Sequence, residues 1–280
     1  MNATIKDRAV LITGCSSGIG RCAAITLHER GYRVFATTRK PEDTEALTNS
    51  GIRALHLDLT DYHSIEKTLA IVLNETGGNL YGLFNNGGFG QTGAVEDLPT
   101  EALRAQFETL VFGWHELTRQ IIPVMRAQGH GRIIQNSSVL GFAAMPYRGA
   151  YNAAKFAIEG LSDTLRLELR GTDIHISVIQ PGPIRSKFRQ HAMTKFEQHI
   201  DSENSVHAAT YQQTLDRLTS TGDANRFTLG PDAVVEKLIH ALESESPRSR
   251  YRVTTPTIAF SIAKRLFPTS VLDRILAGVK

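Results

Sequence analysis

Thr13-Gly14-Cys15-Ser16-Ser17-Gly18-Ile19-Gly20 follows the apolar run Ala9–Thr13 and opens the amphipathic stretch Gly18–Arg30. The order reads as strand, tight turn and helix. Gly14 permits the turn, Gly18 lets backbone approach a pyrophosphate, and Gly20 lets the helix pack closely on the sheet. Unpaired N–H groups at the start of the helix then receive phosphates. Such a turn also serves purely structural ends, so the rest of the chain decides its meaning.

Working outward, short apolar runs alternate with longer amphipathic stretches, as in repeated strand-helix-strand units around a buried parallel sheet. Strands are expected at Ala9–Thr13, Arg33–Thr38, Arg53–Leu57, Gly82–Asn85, Arg132–Asn136 and His175–Ile179, with a last one around Tyr251–Thr254. Helices are expected at Gly18–Arg30, Asp61–Asn74, Thr100–Gln128 and Gly149–Arg170, and another from near Pro231. In the third, Leu103, Phe107, Leu110, Trp114, Leu117 and Ile121 recur at helical spacing and read as core. The fold class is α/β, a single doubly wound Rossmann-type sheet with helices on both faces, spanning residues 1–280 as one domain. The alternation lapses after Pro181-Gly182, and residues 185–227 read as a substrate-binding lid. The amphipathic tail Thr257–Lys280 packs on the domain, builds a dimer interface or touches a membrane surface.

Several classes are excluded by composition. Of 280 residues, 31 are basic and 28 acidic, and they are interspersed, so no concentrated footprint for nucleic acid exists. The densest basic cluster, Arg248-Ser249-Arg250-Tyr251-Arg252, reads as a solvated loop end before a phosphate or lipid-headgroup site. Val253–Ala263, the longest charge-free stretch near the carboxyl terminus, is too short to span a bilayer. Met1–Arg8 is polar and shows no signal peptide, and the two cysteines, Cys15 and Cys22, are poorly spaced for a disulfide. A cytoplasmic, reducing location is expected. Ten histidines show no metal-ligand spacing, so no metal is expected.

A second motif supplies the chemistry: Tyr151-Asn152-Ala153-Ala154-Lys155, with Ser138 thirteen residues upstream. One helical turn separates the phenol from the ammonium. A unit charge at about 4 Å in an effective dielectric near 20 is worth ~4 kcal/mol, enough to pull a phenol pKa of ~10 toward neutrality. Tyr151 is therefore expected to be a general acid-base with a lowered pKa, and Ser138 to hold the same substrate oxygen. Together with the glycine turn, this order of residues predicts a nicotinamide-dependent carbonyl or alcohol oxidoreductase.

The chain resembles the short-chain dehydrogenase/reductase family in Thr13-Gly14-x-x-x-Gly18-Ile19-Gly20, Asn85-Asn86-Gly87-Gly88, Ser138, Tyr151-x-x-x-Lys155 and Pro181-Gly182. Gly141–Gly160 and Arg226–Pro231 further resemble the retinol and 17β-hydroxysteroid dehydrogenase branch and bacterial NADP-dependent aldehyde reductases. The resemblance implies catalytic Ser138, Tyr151 and Lys155. It implies a cofactor site of Gly14, Ser16, Ser17, Gly18, Ile19, Gly20, Asp58, Leu59, Asn86, Gly87, Gly88, Tyr151, Lys155, Pro181, Gly182, Ile184 and Ser186. It also implies a homo-oligomer and a small apolar carbonyl or alcohol substrate.

Cofactor choice rests on Thr37-Thr38-Arg39-Lys40. No acid is present to accept from the ribose hydroxyls of NAD, whereas Arg39 can pair with the extra phosphate, so NADP is expected over NAD. Two departures from the family stand out: Gly87 replaces its usual Ala, and Leu110 replaces an Asn that supports a water relay to the lysine. Leucine cannot hydrogen-bond through its side chain, which motivates an alternative, a non-catalytic NADP-binding regulatory protein.

Overall fold

The computed structural model describes residues 5–219 and 225–278, without the side chains of Lys6, Arg217 and Leu218. Residues 220–224 of the expected lid and 279–280 of the tail lie outside the described residues, as does the Leu218 side chain. Strands β1 (Ala9–Ile12), β2 (Arg33–Thr38), β3 (Arg53–His56), β4 (Gly82–Asn85), β5 (His130–Asn136), β6 (Asp173–Gln180) and β7 (Arg250–Arg252) form one sheet ordered β3-β2-β1-β4-β5-β6-β7. Every pairing is parallel.

Period-two patterning explains why both faces of this sheet are covered. In β1, Leu11 packs into one core with Phe35, Leu83, Ile133 and Ile176. Its neighbours Val10 and Ile12 pack into the other, with Val34, Phe84, Ile134 and Ile179. Helices α1 (Gly18–Glu29), α2 (Pro41–Thr48) and α9 (Asp232–Glu243) supply the second core. Helices α3 (Tyr62–Glu75), α5 (Gly113–Gln128) and α6 (Gly149–Glu168) supply the first.

The expected continuous helix Thr100–Gln128 is a composite: α4 (Thr100–Phe107), a π-helical turn (Glu108–Phe112) and α5. The Gly113 N–H bonds the Glu108 carbonyl, one residue further than an α-helix reaches. Leu110 and Val111 of this turn stay buried, so the insertion leaves the apolar pattern intact. The irregular segment after Pro181 contains α7 (Phe188–His199) and α8 (Ala208–Thr219). The tail divides at Pro268 into α10 (Thr255–Leu266) and α11 (Thr269–Ala277). Among the described residues no helix is long and apolar enough to cross a membrane. Strand order reverses between β1 and β4, and in such sheets ligands sit outside the carboxyl ends of the strands at the reversal.

Candidate active site

At the reversal, the Gly14 turn is pressed against the loop after β4. Gly14 has φ +73°, and a Cβ there would lie 2.4 Å from the Gly87 Cα, so the turn admits only glycine. The Thr13 hydroxyl accepts from the Asn86 and Gly87 N–H groups, both at 2.8 Å, and the Asn86 amide donates to the Thr13 carbonyl at 2.9 Å. The Trp114 indole donates to the Gly87 carbonyl at 2.9 Å from the other side. A Cβ on Gly20 would strike the Gly14 carbonyl at 2.2 Å, so its close contact is with the turn itself.

The start of α1 has no side-chain cap: Ser17 is extended and its hydroxyl accepts from none of the helix N–H groups. Gly18, φ +55°, faces Ser186, whose Cβ would be 2.8 Å from a Cβ on Gly18. These residues therefore form a narrow, donor-rich cradle of the kind that takes a pyrophosphate. Cys15 in the turn is fully buried, and burial pushes its thiol up to about 12, so it is no nucleophile. Arg39 follows β2, is exposed, and has no carboxylate partner among the described residues. Asp58 accepts from the Thr60 N–H and hydroxyl at 2.9 and 2.8 Å through one oxygen. The Leu59 side chain abuts Gly87, 3.2 Å from where its Cβ would stand. Among the described residues no cluster of metal-ligating side chains is gathered.

Three side chains meet at the other end of the cleft. Ser138 caps a single 3₁₀ turn, accepting from the Leu140 N–H at 3.1 Å, and its hydroxyl is the polar neighbour that acts to lower the pKa of the Tyr151 phenol. The Val139 N–H donates to the Pro181 carbonyl at 2.8 Å, joining this loop to Pro181-Gly182. Ile184 bridges to Leu229, which brings the Arg226–Pro231 stretch beside it. The Lys155 ammonium donates to the Asn136 carbonyl at 2.7 Å and lies 4.3 Å from the Trp114 ring centre and 5.4 Å from that of Tyr151.

The electrostatics correct one expectation. Burial raises the Tyr151 phenol above its ordinary range, opposed by the Ser138 hydroxyl. Burial also lowers Lys155 to about 7, opposed by the charge of Glu159. Removing the ammonium from water weakens the charge that was expected to pull the phenol down. The phenol is thus held in its neutral, proton-bearing form.

Sequence reasoning missed Asn136. Its amide donates to the Asn86 side chain at 2.8 Å while its carbonyl holds Lys155, so it connects the glycine turn to the lysine. A polar residue ending a buried strand was the available signal. Leu110 lies in the π turn with its Cδ2 2.2 Å from where a Gly88 Cβ would stand, so the glycine there makes room for the leucine. Phe188, at the head of α7, stacks edge-on against Tyr151 with ring centres 5.4 Å apart.

Comparison with known proteins agrees with this geometry. The sequence model of the short chain dehydrogenase family matches residues 8–196. The chain is 41% identical to the uncharacterized oxidoreductase YbbO of Escherichia coli K12, over 99% of this chain and 97% of that one. It is 30% identical to the NADPH-dependent 3-dehydrocapnine reductase of Ornithobacterium rhinotracheale, over 96% and 95% of the two chains. In fold it is similar to a short-chain dehydrogenase/reductase from Burkholderia phymatum in complex with NAD (TM-score 0.79, 21% identity, 98% and 96% coverage). The chain belongs to the short-chain dehydrogenase/reductase family, in the branch of the retinol and hydroxysteroid dehydrogenases, and is a hydride-transfer oxidoreductase by that membership.

Proposed function

We propose that the protein uses NADP(H) to interconvert an apolar aldehyde or ketone with its alcohol. The Ser138–Tyr151–Lys155 assembly carries this reading. Tyr151 donates its phenolic proton to the carbonyl oxygen in reduction and removes the alcohol proton in oxidation. Ser138, beside the same phenol, holds the substrate oxygen in line. A phenol kept neutral by burial suits the reductive direction. The nicotinamide, when bound, supplies the hydride in reduction and accepts it in oxidation.

Gly14, Ser16, Ser17, Gly18, Ile19 and Gly20 would hold the pyrophosphate, and Arg39 the 2′-phosphate. Asp58, Leu59 and Asn86–Gly88 would line the adenosine, and Pro181, Gly182, Ile184 and Ser186 the nicotinamide. Lys155 would bind the adjoining ribose hydroxyls. The preference for NADP is supported by Arg39 lacking an acidic partner among the described residues. The printed cofactor of the Ornithobacterium relative supports it too.

An apolar substrate is supported by a cavity of about 740 Å³ between α6 and α11, lined by Val95, Met145, Pro146, Phe156 and Leu276 among others. Met145 and Leu276 also belong to the cluster on which Tyr151 packs. Residues 185–227 act as the lid, with Phe188 covering the phenol.

Screening NADPH consumption over aldehydes, ketosteroids, retinoids and long-chain ketones identifies the substrate class. On the best of them Tyr151→Phe lowers turnover at least ~10²-fold. NADPH binding without consumption of any carbonyl would favour the non-catalytic reading, for which the buried, apolar Leu110 is the motive. Arg39→Asp weakens NADPH binding strongly and NADH binding little; equal affinity of the unmodified protein for both would refute the NADP preference.

A further inference from the structure

The arginines of β7 and the outer faces of α10 and α11 take no part in this chemistry and lie beyond the residues matched by the family model. On α10, Ile258, Ile262 and Leu266 recur at four-residue intervals and stack on one face. They are 46, 52 and 71% exposed, and Phe267, 47% exposed, extends the stripe. The opposite face is spent: Thr257 and Ser261 are buried, and Phe260 packs on the Val139–Ala143 cluster. A contiguous apolar stripe of this kind on a water-exposed helix marks an interaction surface.

At the amino end of the stripe lies a hollow of about 250 Å³ lined by Lys237, Arg248, Arg250, Tyr251, Arg252 and Ile258. Arg250 is committed to Glu159 and Asp163, at 3.1 and 2.6 Å, and Lys237 to Glu236 at 2.8 Å. Arg248 and Arg252 have no carboxylate partner among the described residues. Ile258 belongs both to the hollow and to the stripe, so free positive charge and apolar surface are contiguous. From residue 248 to 278, Asp273 is the only acid beside Arg248, Arg250, Arg252, Lys264, Arg265 and Arg274.

We infer that this face docks on an anionic lipid bilayer, the Ile258–Phe267 stripe entering the headgroup boundary and Arg248 and Arg252 meeting lipid phosphates. The composition is that of an interfacial helix: apolar on one side, cationic at its flank, and without the length to span. A second copy of the chain fits less well. β7 is the sheet edge, and pairing two such edges about a two-fold axis sets one arginine-rich strand against another, Arg250 facing the copy's Arg252 when the axis passes Tyr251.

The test is co-sedimentation of the full chain with vesicles of phosphatidylcholine alone and of phosphatidylcholine mixed with phosphatidylglycerol. Binding is expected to the mixed vesicles, weakening as salt is raised. Arg248→Ser with Arg252→Ser lowers it ~30-fold at low salt, as expected for two cations near a charged surface. Ile262→Ser with Leu266→Ser lowers it at least ~10-fold. Both double variants keep the melting temperature and NADPH affinity of the parent, since none of the four residues is buried or part of the cleft. No binding to the mixed vesicles, or equal binding to both kinds, overturns the inference. So does a shift from dimer to monomer in light scattering of the Ile262→Ser, Leu266→Ser protein with vesicle binding unchanged, which would assign the face to a second copy.

Discussion

The glycine turn and the α7–α8 segment flank opposite ends of the cleft, yet they are built from different materials. Around Gly14, backbone lies against backbone: a Cβ would meet the Gly87 Cα at 2.4 Å, and the Thr13 hydroxyl closes the gap with two hydrogen bonds. The α7–α8 segment rests on a small cluster of Ala94, Phe196, Ile200 and Tyr211, and on side chains gathered by one acid. Asp97 accepts from Ser205 at 2.5 Å and from the Tyr211 hydroxyl, which in turn accepts from the Ala94 N–H at 2.9 Å. His207 pairs with Glu96 at 2.5 Å close by. Backbone contacts fix a geometry that no side-chain motion relaxes; side-chain latches open one bond at a time. The glycine turn is rigid by construction, while the α7–α8 segment is held by a handful of side-chain hydrogen bonds around Asp97 and Tyr211.

Gly14→Ala should have the largest effect. Both the positive φ and the close approach to Gly87 oppose it, at a cost of about 3 kcal/mol or more. A collapsed thermal melt and lost NADPH binding are expected; a melt within about 2 °C of the parent would show that the turn yields. Asp97→Ala should leave that melt nearly unchanged while speeding amide exchange across Ala208–Thr219 by ~10-fold. Exchange that quickens equally in β1 would mean that the two flanks share one cooperative unit.

Lys155→Met is expected to have a modest effect on stability, and a favourable one. The folded-state value of about 7 lies below the ordinary ~10.4, so between them the unfolded chain holds a proton that the folded chain lacks. Stability of the parent therefore rises with pH across that window, and the burial cost stands in full below about pH 7. The variant should melt about 2–4 °C higher near neutrality and lose this advantage toward pH ~10. Activity is lost at every pH. A constant difference between the two proteins would place the titration elsewhere.

The sheet was legible because its strands are buried on both faces, and short, largely apolar runs between amphipathic stretches leave little ambiguity; β2 and β4 match their expected bounds at both ends. Other features gave weaker signals. α2 buries only Leu47 and carries almost no apolar pattern. The π turn adds a residue without moving Leu110 or Trp114 out of the core, so the spacing still reads as one helix. The helices of α7 and α8 show their apolar positions only against Tyr211 and Phe196. At the site, the motif residues Ser138, Tyr151 and Lys155 come together as spacing predicts. The direction of the phenol's shift was not legible, because spacing conveys charge and proximity but not desolvation.

Asn136 carries a consequence for how this cleft can change over evolutionary time. Its amide ends on Asn86 and its carbonyl on Lys155, and its own side-chain oxygen is already buried without a partner. Substituting Asn86 strands the buried Asn136 amide, and substituting Asn136 leaves the Asn86 side-chain oxygen without its donor, so neither position drifts freely by single steps. Descendants that alter one must alter both, or replace the lost hydrogen bond from a third residue. Innovation in substrate choice is therefore channelled toward the α7–α8 flank, where changes leave this chain of bonds untouched.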